Sequence, residues 1–179
     1  MKTNLILFSF LLAVINCFAG KTPNIILILA DDMGPGEPSH MGGLVPTPAL
    51  DRMAKEGMRF TDAHTTSSVC TPTRYGILTG RYNWRSRLKR GVLVKASSQA
   101  LMDPNRVNLP SFFQQNGYHA GIVGKWHLGA DWELLGKPLT GPDRKDDSWR
   151  VDYSKPFRNG PVDVGFDEAF FILSSLDMA

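Results

Sequence analysis

The stretch NIILILADDMGPGE, residues 24–37, decides the fold class. Asn24 to Ala30 is a continuous apolar run rich in isoleucine. Such a run reads as a buried strand, central in a sheet covered on both faces. It stops at Asp31 and Asp32, and Gly34, Pro35 and Gly36 break the chain beyond them. Two carboxylates are therefore expected at the end of a buried strand, ahead of a loop. In open α/β sheets that is where ligands bind.

The same layout continues along the chain. Thr47 to Gly57 reads as a short helix, with Thr47 as cap, Pro48 in the first turn and Gly57 as the stop. Leu50, Met53 and Ala54 form its apolar stripe. Met58 to His64 reads as a second strand, and Thr65 to Val69 as a polar loop leading to Cys70. Pro72 favours a helix start, with Thr73 to Leu78 helical and Gly80 ending the helix. Cys70 is then expected just before a helix N-terminus, where orphan N–H groups and the dipole favour an anion. Asn108 to Asn116 reads as another helix, closed by Gly117. Tyr118 to Val123 follows as a strand, from whose end Lys125 and His127 emerge. Strands alternating with helices, with polar residues gathered at strand ends, imply an α/β architecture. Ala130 to Gly160, rich in Pro, Gly, Asp and Lys, reads as a long surface excursion. No internal repeat or low-complexity tract is present.

The 179 residues are 42% hydrophobic and 21% charged, a globular composition rather than a disordered one. Residues 1–19 have the form of a secretory signal peptide: Lys2, an apolar run from Leu5 to Ile15, then small residues with cleavage expected after Ala19. That run is shorter than the roughly 20 apolar residues a membrane span needs. The expected destination is the periplasm or the extracellular space, with no membrane attachment after cleavage. Asn16 argues against lipid attachment at Cys17. Removing Lys2 takes the net charge from +3 to +2, which gives no case for nucleic acid. The cluster RSRLKR, residues 85–90, reads as a solvated surface; attraction to an anionic polymer is the sharper alternative. Losing Cys17 leaves Cys70 as the one cysteine, so no internal disulfide can form. A lone cysteine in an exported chain is a buried bystander, an intermolecular bridge or a chemically used group.

Several residues carry chemical potential. Asp31 and Asp32 are adjacent hard oxygen donors suited to Ca²⁺ or Mg²⁺, although Asp is also common in turns. Lys125 and His127 stand two apart, so an extended backbone would put both on one face, able to hold an anion and move a proton. Arg74 stands four residues after Cys70, and a guanidinium beside a helix N-terminus makes an electropositive pocket. A Cys70–His127 hydrolase dyad is compatible with the spacing. His40, His64 and His119 show no metal-ligand spacing. Tyr82, Trp84, Trp126 and Trp132 fit either a sugar pocket or core packing. No GxxxxGKS, CxxC or GxSxG motif occurs.

The segment CTPTRYGILTGR, residues 70–81, resembles the signature of the formylglycine-dependent sulfatases, C-x-P-x-R followed by x-x-x-x-T-G-R. Cys70, Pro72, Arg74, Thr79, Gly80 and Arg81 occupy every fixed position. PNIILILADDMGPGE resembles the family's opening strand and Asp-Asp pair. TPALDRMAKEGMRFTDAHTTSSVC resembles the approach to the nucleophile, GYHAGIVGKWHLG its Lys-x-His segment, and GFDEAFFI is also similar. The resemblance runs from Lys21 to about Asp177. It implies an alkaline-phosphatase-like fold, a mixed, mostly parallel sheet flanked by helices. It also implies that a maturation enzyme oxidises Cys70 to formylglycine (3-oxoalanine), reading Cys70, Pro72 and Arg74 on the unfolded chain. One hydroxyl of the hydrated aldehyde would attack the sulfur of a sulfate ester, and the second would help eliminate sulfate. Asp31, Asp32 and the residue derived from Cys70 would bind Ca²⁺ or Mg²⁺. Arg74 would hold the diol, Lys125 would bind sulfate, and His127 would steer a diol hydroxyl or take its proton.

The family also uses an Asp-Asn or Asp-Gln pair, another Lys and another His from farther downstream, and no counterpart is found here. Residues 20–179 are therefore expected to be the N-terminal part of a sulfatase catalytic domain, with little or no activity alone and an unfinished sheet edge. The expected substrate is a sulfated small molecule or, more specifically, a sulfated carbohydrate. A phosphate-ester hydrolase of the same superfamily and a non-catalytic binder of sulfated polymers are the rival functions.

Overall fold

The computed structural model describes residues 22–136 and 148–175. The expected signal peptide, Cys17 and the middle of the 130–160 excursion lie outside the described residues. The chain divides into two compact units, one ending at Met53 and one beginning at Ala54. No helix among the described residues is long and apolar enough to cross a membrane.

In the first unit, Asn24 to Ala30 is not assigned to a strand, and Ile26 and Ile28 are 84% and 76% exposed. This corrects the expectation of a buried strand. An isoleucine run supplies β propensity, but a strand exists only with a ladder partner, and among the described residues this run has none. Asp31 and Asp32 thus follow an exposed irregular segment, with Asp32 in the left-handed region at φ 59°. Helix α1 spans Pro48–Glu56 and buries no residue completely. Leu50 and Ala54 are half-buried, but Met53 of the expected apolar stripe is exposed.

Thr47 takes the capping position of α1: its carbonyl accepts the Asp51 amide at 2.9 Å. Its hydroxyl serves a different network, accepting from the Ser39 amide at 2.9 Å and donating to Asp51 Oδ1 at 3.2 Å. The Asp51 carboxylate also accepts from Ser39 Oγ at 2.6 Å, the His40 amide at 3.0 Å and His40 Nδ1 at 3.1 Å. These donors, the Ser39 hydroxyl foremost, hold the Asp51 carboxyl below the usual carboxylate range.

The second unit carries the regular sheet. Met58 to His64, expected as a strand, is irregular and exposed. Helix α2 spans Cys70–Thr79 and ends at Gly80, whose φ of 63° an L side chain adopts only with strain. Helix α3, Leu109–Gln115, has a complete capping box: Asn108 Oδ1 accepts from the Ser111 amide at 3.0 Å, and the Asn108 amide donates to Ser111 Oγ at 2.9 Å. Strand β1, Gly121–Lys125, pairs in parallel with β2, Glu168–Ile172, in the register Gly121↔Glu168 to Lys125↔Ile172. The Trp126 and His127 amides continue the ladder to Ile172 and Leu173 carbonyls, each at 2.9 Å.

The sheet has two unlike faces. Ile122 and Phe171 pack against the core of Tyr75, Leu101, Met102, Trp126, Leu128 and Val164. Val123 and its register partner Phe170 point the other way, and each is 82% exposed. Trp126 is 1% exposed, so its place is the core, not a sugar pocket. Trp132 packs edge-on against Tyr153 and close to Phe157. Tyr82 and Trp84 stack with centroids 5.7 Å apart and remain exposed. The described parts of the 130–160 segment are not a loose excursion. Asp131 bridges Arg158, Leu134 bridges Val151, and Ala130 is fully buried.

The Asp51 network makes an acid-limit prediction. Because its carboxyl is held below the unfolded value, its contribution is complete above that value and is lost as pH falls through the lowered folded one. Amide resonances of Ser39 and His40 should show one acid transition below the ordinary carboxylate range, and that transition should vanish in Asp51→Asn. Survival of the transition in the variant would contradict the assignment.

Candidate active site

Cys70 is the first residue of α2, not the residue before it, and Val69 takes the extended capping conformation. Pro72 stands in the first turn, where its missing N–H costs no helical bond. The turn is tightly seated: Thr71 and Pro72 are fully buried, and the Thr73 hydroxyl donates to the Ser67 carbonyl at 2.6 Å. Gly76 lets the preceding loop lie against the helix. A Cβ there would stand 2.0 Å from Thr66 Oγ1, whose hydroxyl donates to the Pro72 carbonyl. Cys70 itself is half-buried and forms no disulfide.

Lys125, the last residue of β1, reaches this helix start. Its Nζ stands 3.3 Å from Cys70 Sγ. Its backbone carbonyl accepts from Arg74 Nη1 at 2.5 Å. The 70-74 spacing thus places thiol and guanidinium on the same end of α2, and both meet one strand terminus. Helix dipole, ammonium and guanidinium all favour negative charge beside residue 70.

His127 differs from its expected pose. A φ of 52° takes it out of extended backbone, so the simple two-residue alternation with Lys125 does not hold. The residue is 2% exposed, and Nε2 stands 2.8 Å from the Leu93 carbonyl. A carbonyl only accepts, so Nε2 carries the proton. That commits Nε2 away from Cys70 and gives no support to a dyad built on it. The thiol lies 3.3 Å from Lys125 Nζ.

Within the second unit the structure therefore brings both Cys70 and Arg74 against Lys125 and seats His127 two residues beyond it. Asp31 and Asp32 belong to the first unit, where both carboxylates are exposed. Of the other histidines, His40 bonds Asp51, His64 bonds Asp62 at 2.6 Å, and His119 lies near Asp167 and Glu168. The basic run stays at the surface: Arg85, Lys89 and Arg90 are exposed, and Arg87 donates to the Gln99 carbonyl. Thr71 and the Leu93 backbone are the site elements that the sequence did not single out. A carbonyl is present at every residue, so residue type cannot flag the Leu93 contact.

This is an α/β site in which a helix start and a strand end converge on one side chain with cationic support. The family model described as Sulfatase matches residues 23–169, and the chain belongs to that family. It is 37% identical over 158 residues to the N-acetylgalactosamine-6-O-sulfatase of Bacteroides thetaiotaomicron, covering 88% of this chain and 28% of that protein. It is 44% identical over 118 residues to human arylsulfatase G, covering 63% of this chain and 22% of that one. A solved structure from work on glycosaminoglycan metabolism by Bacteroides thetaiotaomicron aligns with a TM-score of 0.72 at 35% identity, over 88% of this chain and 30% of its own. Ps i-CgsB, solved with k-i-k-neocarrahexaose, aligns with a TM-score of 0.64 at 26% identity, over 87% and 29%. The fold is thus the alkaline-phosphatase-like one of the sulfatases, of which the described residues form a part with a parallel strand pair and flanking helices. The chain spans less than a third of the length of these relatives.

Arg74 should matter to the local structure as well as to its charge. Arg74→Met should destabilise the second unit by about 1–3 kcal/mol, the scale for removing a charged donor from a part-buried acceptor. Denaturant unfolding measures this, and an unchanged midpoint would show that the Lys125 carbonyl does not depend on the guanidinium.

Proposed function

We propose that the whole protein hydrolyses sulfate esters of carbohydrates, using a formylglycine made from Cys70. The observation that carries the proposal is the contact of Lys125 Nζ with Cys70 Sγ at the start of α2, inside an intact C-x-P-x-R…T-G-R segment. Relatives named for a sulfated sugar and for aryl sulfates support the reaction class. The neocarrahexaose bound to Ps i-CgsB favours a glycan over a small aryl ester.

Sγ here stands in for an oxygen of the hydrated aldehyde. Formylglycine at residue 70 supplies a geminal diol, one oxygen of which is the nucleophile toward sulfur. Lys125 would bind the sulfate oxygens and offset their repulsion of that oxygen. Arg74 would orient the diol from the same side of α2. His127, protonated at Nε2, can accept a proton only at Nδ1.

The donor chemistry of Asp31 and Asp32 fits a hard divalent cation. Both carboxylates are exposed, and they would hold Ca²⁺ or Mg²⁺. The bound cation supplies charge neutralisation for an anionic ester. A cation of this kind takes about 6–8 oxygen ligands, so other donors must complete the shell.

Burial supports conversion before folding. Thr71 and Pro72 are fully buried and Thr73 is 9% exposed, so an enzyme reading residues 70–74 must meet an unfolded chain. A signal peptide at residues 1–19 would send that chain toward the periplasm or the extracellular space.

The test uses the whole protein made in a host that carries the maturation enzyme. It should release sulfate from N-acetylgalactosamine 6-sulfate oligosaccharides or 4-nitrophenyl sulfate. Lys125→Ala should lower kcat/KM by about 100-fold or more, the scale for losing one charge-stabilising group. Phosphate release in place of sulfate release would favour the phosphatase alternative. Retention on a sulfated-glycan column with no turnover would favour a binder.

A further inference from the structure

A closed circuit of contacts links the two halves of the site. From Cys70 the chain runs to Thr71, whose Oγ1 accepts from the Leu93 amide at 3.2 Å. The Leu93 carbonyl accepts from His127 Nε2 at 2.8 Å. The chain then returns through Trp126 to Lys125, whose Nζ meets Cys70 Sγ at 3.3 Å. Every turning point inside the circuit is dry: Thr71 is 0% exposed, His127 2% and Leu93 6%.

We infer that Thr71 is a positioning residue for His127, acting through the backbone of Leu93, an inference that rests on the sulfate-ester reading of the site. The hydroxyl fixes the Leu93 N–H, and the carbonyl of the same residue, one Cα farther along in the next peptide group, faces the imidazole. The carbonyl places the ring proton on Nε2 and leaves the lone pair on Nδ1. A neutral imidazole flips readily between tautomers unless a neighbour selects one. In this circuit the selection comes from a backbone group, and the group that orients it is the side chain next to the nucleophile position. His127 also sits at φ 52°, so its local backbone alone does not favour the pose and the contacts around it hold it. Valine matches threonine in shape and lacks the hydroxyl, so it would keep the packing of α2 and remove the anchor.

Thr71→Val and Thr71→Ser test this in the whole protein, with conversion of residue 70 in each variant measured by mass and rates normalised to it. Nitrogen-15 spectra of histidine-labelled protein report which ring nitrogen of His127 carries the proton, independently of any turnover. Wild type and Thr71→Ser should both show the proton on Nε2 and similar kcat on 4-nitrophenyl sulfate. Thr71→Val should populate the other tautomer and lower kcat about 10-fold, with KM within about twofold, the signature of a lost transition-state role. Retention of the Nε2 proton in Thr71→Val, or equal loss in Thr71→Ser, would overturn the inference. Absence of sulfate release from wild type would instead overturn the sulfate-ester reading, and the nitrogen spectra would still decide the role of Thr71.

Discussion

The site depends on one residue serving two partners. Lys125 gives its ammonium to residue 70 and its carbonyl to Arg74, so both ends of the residue are held against the first turns of α2. The side-chain contact alone would be a flexible arm over a helix start. The carbonyl contact makes it a junction between strand and helix. The parallel ladder from Gly121 to Lys125, continued by the Trp126 and His127 amides, fixes where that junction lies. The core residue Trp126 stands between Lys125 and His127, and its indole N–H donates to the Gly129 carbonyl at 2.8 Å. Packing of the indole therefore sets the direction in which Lys125 and His127 leave the strand.

Buried polarity follows the same economy of partners. Removing a hydroxyl or an imidazole from water is costly unless each is hydrogen-bonded. Thr71 and Asn108 are buried and bonded to backbone, and buried His127 meets the Leu93 carbonyl through Nε2. Backbone groups move little compared with long side chains, so they orient precisely what they bind. Lys125 and Arg74 are only half-buried, so one face of each rests on protein.

Legibility varied with how local the cause was. The capping box at Asn108 and Ser111 and the glycine stop at Gly80 are written within a few residues, and both elements lie close to where the sequence put them. The Cys70–Arg74 spacing and the Lys-x-His segment were likewise readable, and they meet. Asn24 to Ala30, a continuous apolar run, and Met58 to His64 read as strands in the sequence, yet a strand needs a partner. Neither has one among the described residues. The left-handed turn at His127 lies beside Gly124 and Gly129, both also at positive φ, and a two-residue alternation could not anticipate it. The Thr71–Leu93–His127 link is invisible in the sequence because its middle member acts through backbone rather than a side chain.

All of this is organised around the chemical state of residue 70. The direct measurement is the mass of the tryptic peptide FTDAHTTSSVCTPTR, residues 60–74, from protein made beside the maturation enzyme. The account predicts that the thiol has been replaced by an aldehyde. An intact thiol, in a host where a control sulfatase is converted, would contradict it and return Cys70 to the status of an ordinary cysteine.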